Sequence, residues 1–228
     1  MKPIFHEGEL AVQAQAGVQD MASRVGKSIR PLIPLAAQEF LSSQPIAVFS
    51  SIDHKGRVWA SLVTGKPGFI EATSERTLRI EAMPFIGDPF AENILVNDQI
   101  GMIAIEFATR RRVRINGTAK IDKDAILIHS EQVYSNCPKY IQARTWESQT
   151  GISNHKSVQR SAEFSDQQQA WIQSADTFFI ASHHKEGGAD ASHRGGNPGF
   201  IHVLDKNRLR FPDYTGNTMF QTLGNISV

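Results

Sequence analysis

The chain has 228 residues, a formal net charge of +1 and a single cysteine, Cys137. This length allows one large domain or two small ones, the near-neutral charge gives no global attraction for nucleic acid, and one cysteine excludes an internal disulfide and suits the reducing cytoplasm. Because no run of about 18 apolar residues occurs and no Cys/His cluster has zinc-ligand spacing, neither a membrane partner nor a metal is expected.

The first predicted elements are an amphipathic helix and two pairs of short strands. Apolar residues at helical spacing predict the helix over Pro34–Ser42. A polar turn at Asp53–Gly56 joins two strand-like runs into a β-hairpin, and a second pair follows it. The four predicted strands are Ile46–Ile52, Val58–Thr64, Phe69–Ala72 and Thr77–Ile80.

A second helix and three longer strands complete this part of the chain. Asp88 as N-cap and Pro89 at the first helical position predict a helix over Asp88–Leu95. The strands that follow are Gln99–Phe107, Val113–Ile121 and Ile126–Val133. We expect a six-stranded antiparallel split β-barrel with one inserted helix, because closure removes exposed sheet edges.

A further helix is predicted after these strands, with Asn136 or Cys137 as N-cap and Pro138 at its first position. Lys139 then lies in the first turn, where a cation is unfavourable with the helix dipole, and this indicates an anionic partner. Cys137 either has a lowered thiol pKa at this helix start or is an inert structural residue. The polar stretch Ser148–Ser161 is the predicted linker, with the boundary near residue 155.

An internal repeat organises the chain, since residues 47–80 align without a gap with residues 178–211. The block Gly65 to Ile70 matches Gly196 to Ile201 most closely, and a helix over Asp166–Ser174, with a capping box at Ser165 and Gln168, precedes the second copy. We predict a mainly β protein with flanking helices. Its expected parts are a helical extension (1–35), a split-barrel unit (36–147), the linker (148–161) and an incomplete second unit (162–228).

The second unit ends at Val228, just after a predicted helix over Asn217–Leu223, so counterparts of the last three strands of unit one are absent. Either the sequence is a fragment, or the half-barrel pairs with another surface, because an uncovered edge invites aggregation. A homodimer is the expected remedy.

One group of residues in the second unit suits an anion. Alternation along the predicted strand places Asp190, Ser192 and Arg194 on one face. A guanidinium and a hydroxyl side by side can bind a phosphate through charge-assisted hydrogen bonds. A surface salt bridge between Asp190 and Arg194 is the alternative.

The segment Pro212–Thr218 reads as a polar turn entering a helix, which would present backbone N–H groups and the positive end of the dipole to a phosphate. A turn of this composition also forms without a ligand. Arg110, Arg112 and Arg114 share a strand face, for which a solvated outer face of the barrel is the usual explanation.

Three blocks in this order resemble the FMN-binding split barrels of the pyridoxamine 5'-phosphate oxidase-like family, in particular a tandem-repeat branch. They are Phe107–Gly117, Tyr134–Ile141 and Gly188–Gly196, and the resemblance covers the chain from about residue 36. The family implies FMN at an interface between two barrels. It also implies a cofactor site made by Ser192, Arg194, Asp213, Tyr214, Gly216, Asn217, Thr218, Arg112 and Lys139.

The resemblance also implies that the two units differ in flavin binding. The strand Trp59–Thr64 of unit one lacks the arginine that Arg194 supplies in unit two, so we expect the flavin site to use unit two. Arg112 stands where the family usually has a glutamine near the flavin ring. No C-terminal arginine and histidine pair for pyridoxamine phosphate is evident.

The function implied by the resemblance is an FMN-dependent oxidoreductase acting on a small-molecule redox substrate, with the flavin performing the electron transfer. No side chain need act as nucleophile, and no catalytic residue is assigned. The alternatives are a non-catalytic flavin-binding protein and a structural barrel without a ligand.

Overall fold

A computed structural model describes residues 3–147 and 159–228. The helices are α1 (Glu7–Gln15), α2 (Gln19–Gly26), α3 (Leu35–Ser42), α4 (Phe90–Val96), α5 (Asp166–Ser174) and α6 (Gln221–Ile226). The strands are β1 (Ile46–Ile52), β2 (Val58–Thr64), β3 (Ile70–Ser74), β4 (Thr77–Ile80), β5 (Gln99–Glu106), β6 (Arg111–Asp122), β7 (Ala125–Ser135), β8 (Thr177–His184), β9 (Gly188–Gly195), β10 (His202–Asp205) and β11 (Arg208–Arg210). The protein is mainly β with flanking helices, as the sequence predicts.

The first seven strands form one antiparallel sheet in the order β2-β1-β5-β6-β7-β4-β3. The predicted number of six strands was wrong, because the short strands β3 and β4 both join this sheet, through the pairing of β4 with β7. Within the described residues no ladder joins the edge strands β2 and β3.

Strand β1 is buried at every position, because both faces of the sheet are covered around it. Ala47 and Phe49 point into the main core, together with Phe90, Met102 and other apolar side chains. Val48 packs on the opposite face against Ile103 and Ala191. The sheet therefore has an internal face that forms the core and an outer face that receives the C-terminal part of the chain.

The hairpin of β8 and β9 packs on this outer face, against β1 and β5. Gly101 of β5 permits the contact, since a Cβ at this position would lie 2.7 Å from the Ala191 nitrogen and from Asp190 Cα. This close approach brings the side chains of β9 to the basic side chains of β6, where Arg112 contacts His193 and Arg114 contacts Asp190.

The C-terminal elements occur in the same order as a set of earlier ones. Helix α5, strands β8 to β11 and helix α6 follow the sequence of α3, β1 to β4 and α4. Strands β10 and β11 form a small separate sheet. The predicted capping box of α5 is present, because Gln168 N–H donates to Ser165 Oγ at 3.2 Å and Ser165 N–H donates to Gln168 Oε1 at 2.9 Å.

Two predicted helices begin later than expected. Helix α4 starts at Phe90 with Pro89 as its N-cap, so the prediction of Asp88 as N-cap and Pro89 as the first helical residue was wrong by one position; Asp88 Oδ1 still accepts a hydrogen bond from Phe90 N–H at 2.9 Å. The helix predicted over Asn217–Leu223 is α6 and starts at Gln221. Thr218 and Phe220 have left-handed backbones, with φ of 65° and 58°, and this conformation interrupts a helix.

The helix predicted after Asn136 was wrong. Only a turn forms at Lys139 and Tyr140. Tyr140 has φ 65°, which is incompatible with a continuing right-handed helix. Residues 148–158, with most of the predicted linker and the boundary near 155, lie outside the described residues. No helix in the described ranges is long and apolar enough to cross a membrane.

Candidate functional site

A cavity of about 290 Å³ lies where β6 and β9 meet the segment that connects β11 to α6. We call it the arginine cavity, after Arg112, Arg114 and Arg194 in its wall. All nine residues predicted for a cofactor site line it, and their role in binding stays a prediction. They are Arg112, Lys139, Ser192, Arg194, Asp213, Tyr214, Gly216, Asn217 and Thr218.

Arg112 is largely buried and is held from two sides. Its Nη1 lies 3.0 Å from His193 Nδ1, and its Nη2 donates to the Cys137 carbonyl oxygen at 2.8 Å. Burial, and then the positive charge of Arg114, lower the pKa of Arg112 to about 10, so it remains a cation at neutral pH. Cys137 thus contributes its carbonyl group to the site by holding Arg112.

Arg114 forms a buried ion pair with Asp190. Asp190 also accepts a hydrogen bond from Thr222 Oγ1 at 3.0 Å, and Arg114 donates to Gln221 Oε1 at 3.3 Å. Burial alone would lower the pKa of Arg114, but Asp190 outweighs it and raises the pKa above its ordinary value. The ion pair links the main sheet to both the hairpin and α6.

Arg194 pairs with Asp213, whose Oδ1 accepts from Arg194 Nη1 at 2.7 Å. The alternative salt bridge between Asp190 and Arg194 is therefore wrong, because each residue has a different partner. Asp213 draws the segment that precedes α6 towards β9, so that residues 213–218 form one wall of the cavity.

This wall is an irregular segment and not the first turn of a helix, since α6 begins only at Gln221. The predicted contribution of a helix dipole at Asn217 and Thr218 was therefore wrong. Two aromatic rings fix the segment instead, because Tyr140 and Tyr214 stack with centroids 4.8 Å apart. The Tyr140 hydroxyl also donates to the Thr215 carbonyl oxygen at 3.2 Å.

Arg114, Tyr140, His193 and Gln221 also line the cavity, and the sequence analysis did not assign them. The signal for Arg114 was present in the arginine stripe, but the solvated face expected for that stripe was wrong. Arg112 and Arg114 face the hairpin, while Arg110 precedes β6 with a left-handed backbone. Burial, and then Arg112 and Arg194, lower the pKa of His193 to about 3, so it is neutral at physiological pH.

The cavity has more hydrogen-bond donors than acceptors. The Nε atoms of Arg112, Arg114 and Arg194 are all buried and lack a partner in the described part of the chain. Buried donors of this kind are rare and call for an acceptor. A phosphate group supplies several charged oxygens, and three guanidinium groups with Lys139 exceed the charge of Asp190 and Asp213. Phe200, Ile103 and Phe220 add apolar surface for a ring. The residues therefore fit the phosphate and flat ring of FMN.

No protein-family model matches the chain, and no curated protein matches it by sequence. Solved structures do match about half of it. HupZ of Group A Streptococcus is 16% identical over 46% of this chain and 94% of its own, with a TM-score of 0.39. A candidate pyridoxamine 5'-phosphate oxidase from Lactobacillus delbrueckii is 15% identical over 46% and 94%, with a TM-score of 0.35.

HutZ, the heme storage protein of Vibrio cholerae, is 16% identical over 45% of this chain and 94% of its own, with a TM-score of 0.33. One of these neighbours, the Lactobacillus protein, carries the name of the family that the sequence blocks resemble. At this identity and overlap, the likeness carries no argument about ligand or activity. What this chain binds must be inferred from its own residues.

Proposed function

We propose that the protein binds FMN in the arginine cavity and is a flavin-dependent oxidoreductase. The observation that carries the proposal is a set of three arginines in one cavity whose Nε atoms are buried and lack a partner in the described chain. Charge-assisted hydrogen bonds from guanidinium groups are among the strongest available to a phosphate. The excess of donors would be satisfied by phosphate oxygens.

The lining residues have distinct roles in this proposal. Arg194 and Ser192 hold the phosphate, together with the segment Asp213–Thr218 and Lys139 at the rim. Arg112, fixed by His193 and Cys137, orients the ring, and Phe200 with other apolar side chains excludes water. Bound FMN would supply the electron transfer to a small-molecule substrate.

The architecture proposed for this site is a split barrel with an incomplete second copy. Residues 36–147 form the first unit and residues 162–228 the second, with the flavin site between them. The repeated order of α5, β8 to β11 and α6 supports this reading. A cytoplasmic homodimer completes the proposal.

A flavin-binding protein without catalysis is the second candidate. Its support is the state of His193, which is neutral at physiological pH and therefore is not an imidazolium that could act as a general acid. Reduction of the bound flavin by nicotinamide donors under anaerobic conditions separates the two candidates. Rapid reduction supports the enzyme, and tight binding with slow reduction by every donor supports the second candidate.

The variant Arg194→Ala tests the phosphate assignment. Loss of one charge-assisted contact, worth about 1.5–3 kcal/mol, should weaken FMN binding by roughly 10- to 100-fold. Riboflavin, which lacks the phosphate, should lose less than about threefold. Both dissociation constants can be measured by quenching of flavin fluorescence.

Arg208→Ala is the matched control, because Arg208 is exposed on β11 and pairs with Asp205 at 2.6 Å outside the cavity. It should leave the affinity for both flavins unchanged. An equal loss of FMN and riboflavin in Arg194→Ala would contradict the role of Arg194 in phosphate recognition.

A further inference from the structure

A second cavity, of about 450 Å³, lies on the other side of the Arg114–Asp190 ion pair. We call it the N-terminal cavity. The start of α1, the tip of the β8–β9 hairpin and the β-bulge at Glu131 of β7, opposite Asn116 and Gly117 of β6, surround it. Gln221 lines both cavities, while Arg114 faces the first and Asp190 the second. The proposed flavin site does not use this space.

Glu9 of α1 is a buried carboxyl group in the wall of the N-terminal cavity, with 5% of its surface exposed. Close packing fixes its position, since a Cβ on Gly224 would lie 2.6 Å from the Glu9 nitrogen. Its Oε2 accepts a hydrogen bond from His6 N–H at 2.8 Å. This is the one hydrogen bond that the described residues make to the Glu9 carboxyl group; Oε1 receives none from them and is open to the cavity.

No described cation neutralises Glu9 directly. His6 Nε2 lies 3.6 Å away, but the ring is in a neutral form. Its Nδ1 accepts from Gly8 N–H at 3.2 Å, so the proton is on Nε2, which donates to Asn225 Oδ1 at 2.9 Å. Burial lowers the pKa of His6 and keeps it neutral. A buried carboxylate without a cation is costly, and such groups are normally paired.

Asn116, on strand β6 across the cavity, is a second acceptor without a donor among the described residues. It lines the same cavity, is 7% exposed, and its Oδ1 is buried without a hydrogen-bond partner in the described chain. Its Nδ2 already donates to Gln132 Oε1 at 3.2 Å. Glu9 and Asn116 therefore both present acceptors that receive no hydrogen bond from the described residues, whereas the arginine cavity has three unpartnered Nε donors and one such acceptor, Asn136 Oδ1.

The charge around the cavity has the sign that a cation requires. Asp190 is offset by Arg114, while Glu131 and Glu186 at the exposed rim outnumber Lys185. The volume suits a small molecule, since ligand pockets span about 300–1,000 Å³. We infer that the N-terminal cavity binds a small organic cation, whose ammonium or guanidinium group donates to Glu9 and Asn116.

Calorimetric titration of the full chain with four matched probes tests this inference. n-Butylammonium and n-butylguanidinium carry the required group, n-butanol is neutral and butyrate is an anion. At pH 8 the two cations should bind with dissociation constants of about 1 mM or lower, and the other two at least about tenfold more weakly. Absence of saturable cation binding up to about 50 mM would overturn the inference.

Glu9→Gln locates the binding, because it removes the charge and keeps an acceptor for His6 N–H. It should weaken both cations at least about tenfold, the equivalent of roughly 1.4 kcal/mol. Glu39→Gln, an exposed carboxyl group on α3, is the control and should change nothing. Undiminished cation binding in folded Glu9→Gln would place the cation elsewhere and overturn the inference.

The pH dependence of the wild-type protein is a test that needs no variant. Burial raises the pKa of Glu9 to about 7, so alkylammonium affinity should fall about tenfold from pH 8 to pH 6 as Glu9 gains a proton. The charged or titratable groups that face Glu9 are His6, Glu7, Arg114, Glu131, Tyr134, His184, Lys185, Glu186 and Asp190. Equal affinity at both pH values would contradict the role of Glu9.

The inference is independent of the flavin proposal. Arg194→Ala should leave cation binding unchanged, and Glu9→Gln should leave FMN affinity within about twofold. A protein that binds alkylammonium but no FMN would refute the flavin site alone, and the converse result would refute the cation site alone.

Discussion

Glu9 is a carboxyl group that folding removes from water without an adjacent cation. Burial raises its pKa from 4.5 to about 7, so between these values the folded chain binds more protons than the unfolded chain. The free energy of unfolding must then fall as the pH rises through this window, by about 3 kcal/mol at pH 8. At pH 5 only about 0.8 kcal/mol of this destabilisation is present, because the folded group is protonated while the unfolded group is already largely ionised.

Urea unfolding of the wild type and Glu9→Gln at pH 5 and pH 8 measures this effect. The histidines contribute to the pH dependence of both proteins and cancel in the comparison. The wild type should lose about 2.5 kcal/mol more than the variant between the two pH values. Equal losses would show that Glu9 does not ionise at a raised pKa in the folded protein.

For single residues, the sequence predicted which residues line the cavity better than it predicted their burial and hydrogen-bond partners. Strand alternation predicted that Ser192 and Arg194 lie side by side, and both line the arginine cavity. Arg112 and Arg114 were expected on a solvated face, because their burial depends on a hairpin far along the chain. The unpaired oxygens of Glu9 and Asn116 depend in the same way on non-local packing.

Helices α1 and α6 lie in close contact, and a glycine on each helix permits it. A Cβ on Gly8 would lie 2.3 Å from the Gly224 carbonyl oxygen, and one on Gly224 would lie 2.5 Å from Glu9 Cγ. Alanine favours a helix over glycine by about 1 kcal/mol, but overpacking costs about 1–3 kcal/mol. We therefore expect Gly224→Ala to lower the free energy of unfolding by about 1–2 kcal/mol.

Gly216→Ala is the matched control in the same part of the chain. A Cβ there would meet only the Tyr214 carbonyl oxygen, at 3.8 Å, so the free energy of unfolding should remain within about 0.5 kcal/mol of the wild type. Denaturant unfolding of both variants measures the two free energies of unfolding. If Gly224→Ala were as stable as Gly216→Ala, the two helices would not be in tight contact.

Among the helices and strands, short sequence motifs predicted an element correctly where hydrogen bonds between neighbouring residues determine it. The capping box at Ser165 and Gln168 predicted α5 with its observed bounds. The helix expected at Pro138 is absent and the one expected at Asn217 begins only at Gln221, because Tyr140, Thr218 and Phe220 adopt left-handed backbones, which are unusual for residues other than glycine. Tyr140 stacks on Tyr214, a partner distant in sequence, so no local pattern could reveal this conformation.

Both cavities of the molecule depend on the packing of the β8–β9 hairpin against β1 and β5. Strand β9 contributes Ser192 and Arg194 to one cavity and Asp190 to the other. Gly101→Ala would place a Cβ 2.7 Å from the hairpin backbone and force it away. We expect a loss of about 1–3 kcal/mol in unfolding free energy and weaker binding of FMN.

Denaturant unfolding and a flavin titration of Gly101→Ala, both at a temperature where the variant is folded, test this coupling. Unchanged stability together with unchanged FMN affinity would show that neither depends on the close contact. The repeated order of elements could be predicted from the alignment of residues 47–80 with 178–211. The position of the hairpin could not be predicted, because it depends on packing against the outer face of the main sheet, whose strands lie far away in the sequence.

The central claim is that the arginine cavity recognises a flavin through its phosphate. The most direct measurement is a fluorescence titration of the wild-type protein with FMN and with riboflavin under the same conditions. Three arginines and Lys139 predict that FMN binds at least about tenfold more tightly, with the difference reduced by added inorganic phosphate. Equal affinities, or no saturable binding of FMN, would contradict the claim.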